Sequence, residues 1–146
     1  MRVFLVMVAV LFTGQAFADA KADIAYRKGV MMSVGGHMGA MVAILKGKVH
    51  QDDFRFHARS LADLARIVPK IFPAGSGEGK TDALPAIWKK PDAFKKAVQK
   101  FIDASSELAN AADGGDMGKI GPAINAVGKA CKNCHDNFRK EHHHGE

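Results

Sequence analysis

The two cysteines of the 146-residue chain lie three positions apart near its carboxyl end, in Cys131-Lys132-Asn133-Cys134-His135. On a helix, residues three and four positions apart share one face, so both thiols and the His135 imidazole point to the same side. This spacing is the c-type haem attachment pattern, in which each thiol forms a thioether and the imidazole binds the iron. The segment therefore predicts one covalently attached haem c per chain, held by Cys131 and Cys134, with His135 as the metal ligand.

Three other uses of the cysteines remain open. A redox-active Cys-x-x-Cys is expected near a strand–helix–strand unit, which the sequence does not show. A zinc-bound structural or interaction module would recruit His142, His143 or His144, but this tail offers poor preorganisation and binds metal only adventitiously. A simple disulfide, common in exported proteins, leaves His135 without a role. Haem attachment is favoured because it uses all three residues.

The amino terminus predicts where the protein is found. Arg2 precedes an uncharged apolar run over residues 3–12, and Ala16-Phe17-Ala18 is an Ala-x-Ala cleavage pattern. A membrane span needs about 20 apolar residues, so this arrangement favours a secretory signal peptide. We predict a signal peptide over residues 1–18, a mature domain over residues 19–146, and export to the periplasm. No later stretch of the sequence is expected to be apolar enough to span a bilayer, so no membrane anchor is expected in the mature chain.

Composition narrows the class of protein. The chain is 47% hydrophobic and 25% charged, with a formal net charge of +6. This apolar content is too high for a disordered chain and suits one soluble globular domain. An exported protein has little access to nucleic acid, so the positive charge indicates at most a bias toward acidic partners. No constellation of catalytic residues is evident, and we expect a binding or electron-transfer protein rather than an enzyme.

Apolar residues recur at helical spacing in four stretches, and no stretch is a convincing strand. The predicted helices cover residues 19–48, 52–68, 91–113 and 116–138, the last with a kink or a later start at Pro122. The apolar face of the first helix is predicted to contain Ile24, Met31, Val34, Met38, Val42 and Leu45. Short links and one long connection, from Pro73 to Lys90, predict an all-α antiparallel four-helix bundle with the haem in its core.

The chain resembles the cytochromes c′. The resemblance rests on Cys131 to Arg139 at the end of the last helix and on Tyr26-Arg27, placed one turn before Met31 on the first. It also includes Leu84-Pro85-Ala86-Ile87-Trp88, which is similar to the family's loop before the third helix. The likeness covers essentially the whole mature chain. Attachment near the carboxyl end distinguishes this family from the common small cytochromes c.

The resemblance implies a periplasmic four-helix bundle that forms a homodimer through its first two helices. It implies a five-coordinate, high-spin haem with His135 on one side and Met31 over the other. Members of the family bind nitric oxide and often carbon monoxide, and are linked to electron transfer with a redox partner that the sequence does not identify. The alternative is a low-spin electron carrier with Met31 as the sixth ligand, since a thioether can ligate haem iron.

Further haem contacts follow from the resemblance. Arg27 lies one turn from Met31 and is expected to pair with a haem propionate, with a solvated surface charge as its alternative. The other residues carried over as haem contacts are Lys28, Thr81, Asp82, Phe138 and Arg139.

Structural roles are expected for several other residues. Trp88 is expected to anchor the core, and His37 to lie at a helix interface, because it is six residues from Met31 and off its face. Val30, Met41 and Ile44, beside the Met31 stripe, are assigned to surplus apolar surface that a dimer would bury.

Overall fold

The structure is a computed structural model that describes the backbone of residues 13–141 and the side chains of residues 19–141 apart from that of Met117. The apolar run over residues 3–12 and the tail His142 to His144 lie outside the described residues. The signal peptide and the role of the tail therefore stay predictions.

Four long helices form the bundle. Their bounds agree with the predicted ones to within two residues, except that the first helix begins at Thr13, six residues before the predicted start. They are α1 (Thr13–Gly47), α2 (Phe54–Ile67), α4 (Pro91–Asp113) and α5 (Met117–Phe138), with a one-turn helix α3 (Ala86–Lys89) in the long connection. Within residues 13–141 the only extended pairing is an isolated bridge between Ala83 and Arg139. The predicted all-α four-helix bundle is confirmed.

The start of α5 shows why Pro122 does not delay the helix. The Asp116 carboxylate accepts hydrogen bonds from the backbone N–H of Gly118 at 3.0 Å and of Lys119 at 3.3 Å. These N–H groups have no partner inside a helix, and an N-cap aspartate stabilises a helix by about 1 kcal/mol. The helix consequently begins at Met117 and contains Pro122.

The core is built from one inner face of each long helix. Met41, Leu61, Leu108 and Val127 are all fully buried and come from α1, α2, α4 and α5 respectively. Burial of each such side chain stabilises the fold by about 1.5–3 kcal/mol relative to leaving it exposed. The bundle therefore has a continuous core contributed by all four helices.

The inner face of α1 differs from the predicted one by about one residue. Val30, Met41 and Ile44 are 6%, 0% and 6% exposed, so they belong to the core and are not surplus surface. Met31 is only half-buried. Assigning the first three to a dimer surface was therefore wrong. Helical periodicity identifies an apolar stripe, but where the stripe is wide it does not show which edge faces the core.

The outward side of α1 is also apolar. No Asp, Glu, Lys or Arg occurs between Lys28 and Lys46. The segment Asp19–Gly47 is long and apolar enough to cross a membrane by length and composition, a test that core helices of soluble proteins also pass. The expectation that no later stretch would reach that level was wrong. The residues we call the outer face of α1 are all exposed: Ala25, Gly29, Met32, Gly36 and Ala43.

The packing of the helices leaves one side of the bundle open. The close pairs are α1 with α2, α2 with α4, and α4 with α5, whereas α1 and α5 make at most weak direct contact. The long connection between α2 and α4 covers the gap between them. Space for a bound group therefore exists between the first helix and the last.

Candidate functional site

A cavity of about 450 Å³ opens between α1, α5 and the long connection. Cofactor sites in proteins have volumes of about 300–1,000 Å³. The cavity is lined by all but one of the residues predicted to contact haem: Arg27, Lys28, Met31, Thr81, Asp82, Cys134, His135, Phe138 and Arg139. Cys131, the exception, lies one turn before Cys134 on α5. The fold thus brings together residues that are more than 100 positions apart in the chain.

The two thiols are half-buried on α5 and are not bonded to one another. Burial, together with the neighbouring Cys131, raises the pKa of Cys134 to about 11, and burial also raises the pKa of Cys131. Both groups are therefore protonated at neutral pH. Thioether formation adds one S–H across a vinyl group, and each of the two free thiols can supply one.

His135 is half-buried beside the same cavity. Burial lowers the pKa of its imidazole, the positive charge of Arg139 lowers it further, and Asp136 acts in the opposite direction. The ring is therefore neutral at neutral pH, which leaves a nitrogen lone pair free for a metal ion. This is the protonation state that a proximal haem ligand requires.

Arg27 holds the long connection against α1. Arg27 is 4% exposed, so the alternative of a solvated surface charge is wrong. One terminal nitrogen donates to Ile71 O at 3.2 Å and Ser76 Oγ at 2.8 Å, and the other to Ser76 O and Thr81 Oγ1, both at 2.8 Å. The group also lies 4.9 Å from the centre of the Phe72 ring. The sequence suggested a haem contact here but not this organising role.

Burial also changes the pKa of the Arg27 guanidinium. Desolvation lowers the pKa of the guanidinium, and the negative charge of Asp23 opposes that change. A buried charge is tolerated when its N–H groups are hydrogen-bonded, and four neutral oxygen atoms of the connection meet this requirement. The conformation of the connection and the burial of Arg27 therefore depend on each other.

A second set of hydrogen bonds joins the connection to the end of α5. The Lys140 backbone N–H donates to Asp82 O at 2.8 Å, and the Lys140 ammonium donates to Thr81 O at 3.1 Å. The Leu84 N–H donates to Phe138 O at 2.9 Å. These bonds place Thr81 and Asp82 beside the attachment helix.

Aromatic rings form one wall of the cavity. Phe94 packs edge-to-face against Phe72, with ring centres 4.9 Å apart, and against Phe138, with ring centres 5.2 Å apart. Phe138 was predicted to lie here, whereas Phe72 and Phe94 were not singled out. The further lining residues that sequence reasoning missed are Met32, Val68, Ala83 and Ile87. Apolar residues in a connection or on a core face carry no sequence signal that separates cofactor contact from ordinary packing.

Trp88 anchors the connection from outside this wall. Its indole N–H donates to the carbonyl oxygens of Phe72 and Pro73, each at 3.2 Å. A Cβ atom at Gly77 would lie 2.7 Å from the Trp88 ring, so only glycine fits at that position. Trp88 is half-buried and packs against the cluster of Ala83, Ile87, Ala97 and Phe138, so it anchors the connection at the edge of the core and not inside it.

These residues fit a covalently bound haem. The two thiols and His135 share one face of α5, the cavity beside them is mostly apolar, and polar side chains such as Lys28 and Arg139 line it as well. In such a site Cys131 and Cys134 would carry the thioethers and His135 would bind the iron. The fold and the site together define a c-type haem protein of the four-helix class.

Comparison with known proteins identifies the family. The sequence profile of the family described as Cytochrome C' matches residues 22–139. The cytochrome c′ of Pararhodospirillum photometricum is 38% identical over 125 residues, which is 84% of this chain and 100% of that protein. This chain belongs to the cytochrome c′ family, and its cofactor is covalently attached haem c.

Solved structures agree with that assignment. The cytochrome c′ of Shewanella frigidimarina superimposes with a TM-score of 0.78 at 35% identity, covering 84% of this chain and 97% of that one. Two variants of the cytochrome c′ of Alcaligenes xylosoxidans, one a nitric oxide complex and one with bound carbon monoxide, each superimpose with a TM-score of 0.77 at 32% identity. Both cover 84% of this chain and 97% of theirs.

Proposed function

We propose that this protein reversibly binds small diatomic gases, chiefly nitric oxide and also carbon monoxide, at a five-coordinate, high-spin haem. The observation that carries the proposal is the placement of Met31 on α1 and His135 on α5, which line one cavity from two helices that barely touch. The bound haem supplies an iron atom with one protein ligand and one open position. The Alcaligenes xylosoxidans complexes with both gases support this function.

The side chains around Met31 determine which ligands the site accepts. Val68 and Phe72 line the cavity with Met31 and offer no hydrogen-bond donor. The terminal N–H groups of Arg27 are engaged by the long connection, so they are not available to a bound ligand. Bound oxygen is stabilised by a distal hydrogen-bond donor, whereas nitric oxide and carbon monoxide depend less on one. The apolar side chains beside Met31 would therefore select ligands by size and offer them no hydrogen bond.

The first prediction tests whether Met31 blocks the iron sterically. Met31→Ala is expected to enlarge the distal space and to speed carbon monoxide binding to the reduced protein by about tenfold or more, equal to a barrier lower by about 1.4 kcal/mol. The oxidised unmodified protein is expected to be high-spin. The rate is measured by flash photolysis or stopped-flow absorption. Met38→Ala is the matched control, because Met38 is a half-buried methionine of α1 that does not line the cavity.

One outcome favours the second candidate function, an electron carrier with Met31 as the sixth ligand. Because Met31 lines the cavity, its sulfur is placed where either role is feasible. Ligation would give a low-spin spectrum and a thioether–iron charge-transfer band in the unmodified protein, and the band would vanish in Met31→Ala. That result would contradict steric blocking.

We also propose a haem-contact role for the other polar lining residues. The edge of the haem would be surrounded by polar residues, with Arg27 buried behind them. These residues are Lys28, Thr81, Asp82 and Arg139. The protein is proposed to be periplasmic, exported by residues 1–18, and without enzymatic turnover. Its positive charge would favour an acidic redox partner.

We propose further that two copies form a homodimer through α1 and α2. The outer face of α1 is uncharged, and on α2 the Phe56 side chain is 63% exposed. Met32, on the outer face, is 76% exposed. Monomers rarely leave such contiguous apolar surface open to water, and an isologous pair would bury it on both copies.

The second prediction tests the dimer. Gly36→Lys is expected to convert the dimer to a monomer at micromolar concentration, because a long charged side chain would project from the outer face of α1. An added Cβ at Gly36 meets nothing within 4 Å, so the fold itself should tolerate the change. Gly121→Lys, at a helical glycine of α5 with equally open surroundings, is the control. The mass is measured by light scattering, and a monomeric unmodified protein would contradict the proposal.

A further inference from the structure

Two histidines from different helices meet on the side of the bundle formed by α1 and α2. The Nδ1 atoms of His37 on α1 and His57 on α2 share a hydrogen bond of 2.9 Å, in which one ring donates and the other accepts. The Phe56 ring packs against both imidazoles, with ring centres 5.9 Å from His37 and 5.3 Å from His57. The predicted helix-interface role of His37 is confirmed. Neither histidine lines the haem cavity.

The surroundings of the pair favour a neutral His37, and a metal ion would displace the one proton that the two Nδ1 atoms share. Both side chains are half-buried. Burial lowers the pKa of His37, and the nearby His57 lowers it further. A metal ion binds the deprotonated imidazole, so a group that resists protonation is a better ligand at neutral pH. Because each histidine is fixed on a long helix, little ordering is needed to bring the two nitrogens to one point.

We propose that His37 and His57 form a binding site for a divalent transition metal ion, with water molecules completing its coordination. The distance between the nitrogens agrees with this use. Two nitrogen ligands about 2.0–2.1 Å from one metal ion and about 90° apart are separated by about 2.9 Å. That separation equals the Nδ1–Nδ1 distance. Right-angled nitrogen ligands are typical of Cu²⁺ and Ni²⁺, and Cu²⁺ binds most tightly among the divalent ions of the series.

The proposed metal site is separate from the haem cavity, and an ion bound there would stabilise the packing of α1 against α2. A metal ion held by one residue from α1 and one from α2 links the two helices and stabilises the native chain by mass action. Among the described residues no third His, Cys, Asp or Glu completes a larger cluster, so the chain supplies two ligands to the ion. Phe56 would shield the ion on one side. The proposal does not depend on the gas-binding function.

The test uses the full-length holoprotein in its oxidised form. The tail histidines His142, His143 and His144 are replaced by Ala, because they offer a competing site. Cu²⁺ is then titrated calorimetrically, and one ion per chain is expected. His37→Gln and His57→Gln are each expected to weaken binding by about tenfold or more, because the chelating gain from a second ligand is lost. His50→Gln is the control, since His50 pairs only with Asp53 and its side chain is 78% exposed.

A second measurement does not depend on the variants. Pulsed electron paramagnetic resonance of the Cu²⁺ complex is expected to show two imidazole ligands. The haem absorption spectrum of each variant is compared with that of the unmodified protein to check that the bundle is intact. The proposal is overturned if both Gln variants bind Cu²⁺ as tightly as His50→Gln does, or if the spectrum shows one imidazole or none. The two histidines would then only share a proton.

Discussion

Replacing Cys131 and Cys134 together by Ser is expected to make the haem fully extractable by acid acetone, whereas the unmodified protein should retain all of it. The physical reason is that the two half-buried thiols are the chain's only cysteines, so no other thioether can form. Extraction is followed by haem absorption and by haem stain on a denaturing gel. The expected change is from complete retention to complete loss.

Single variants provide the control for this experiment. Cys131→Ser and Cys134→Ser each keep one thioether, and each should retain haem on the gel. Haem that resists extraction from the double variant would contradict attachment through these thiols. Equal loss from the double variant and from the unmodified protein would instead indicate a zinc or disulfide role for the pair.

The sequence predicted the attachment helix well because its signals are local. The spacing of Cys131, Cys134 and His135 depends only on helix geometry, and α5 has that geometry. The start of α4 at Pro91 and the end of α2 before Pro69 are likewise fixed by residues at the boundary itself. Proline restricts the backbone wherever it stands, so its effect is readable without a tertiary structure.

The sequence was less informative where long-range contacts decide the outcome. Val30 and Met31 are adjacent in one apolar stripe, yet Val30 is buried in the core while Met31 lines the cavity. Only the positions of α2 and α5 distinguish the two. The contribution of Phe72 and Phe94 to the cavity wall depends in the same way on where the long connection packs. These contacts are tertiary, so no local pattern reveals them.

Arg27 is the clearest example of a role that only the structure shows. From the sequence it is one arginine near the predicted distal residue. In the fold its four terminal N–H groups bond to three residues of the connection, Ile71, Ser76 and Thr81. Thr81 is also the residue whose carbonyl oxygen accepts from Lys140. Arg27 therefore links α1, through the connection, to the end of the attachment helix.

Replacing Arg27 by Met is expected to lower the free energy of unfolding of the holoprotein by about 3–4 kcal/mol, near the upper end for single substitutions. Hydrogen bonds to a charged group each contribute about 1.5–3 kcal/mol, and an acceptor left buried without a partner costs a similar amount. The thermal midpoint should consequently fall by about 10 °C. Arg59→Met is the matched control. Its guanidinium bonds to Asp113 at 2.8 Å but is 58% exposed, and such surface pairs contribute about 1 kcal/mol or less.

The same substitution should also loosen the connection locally, which distinguishes an organising role from a general loss of stability. Without Arg27 the backbone around Ser76 loses its main partner, so cleavage by trypsin at Lys80 should become faster in Arg27→Met. It should stay slow in Arg59→Met. Arg27→Lys should fall between the two, because an ammonium keeps the charge but cannot reach both sides of the connection as the planar guanidinium does. If Arg27→Met matched Arg59→Met in both thermal midpoint and cleavage rate, the hydrogen bonds of Arg27 would not be what holds the connection over the haem cavity.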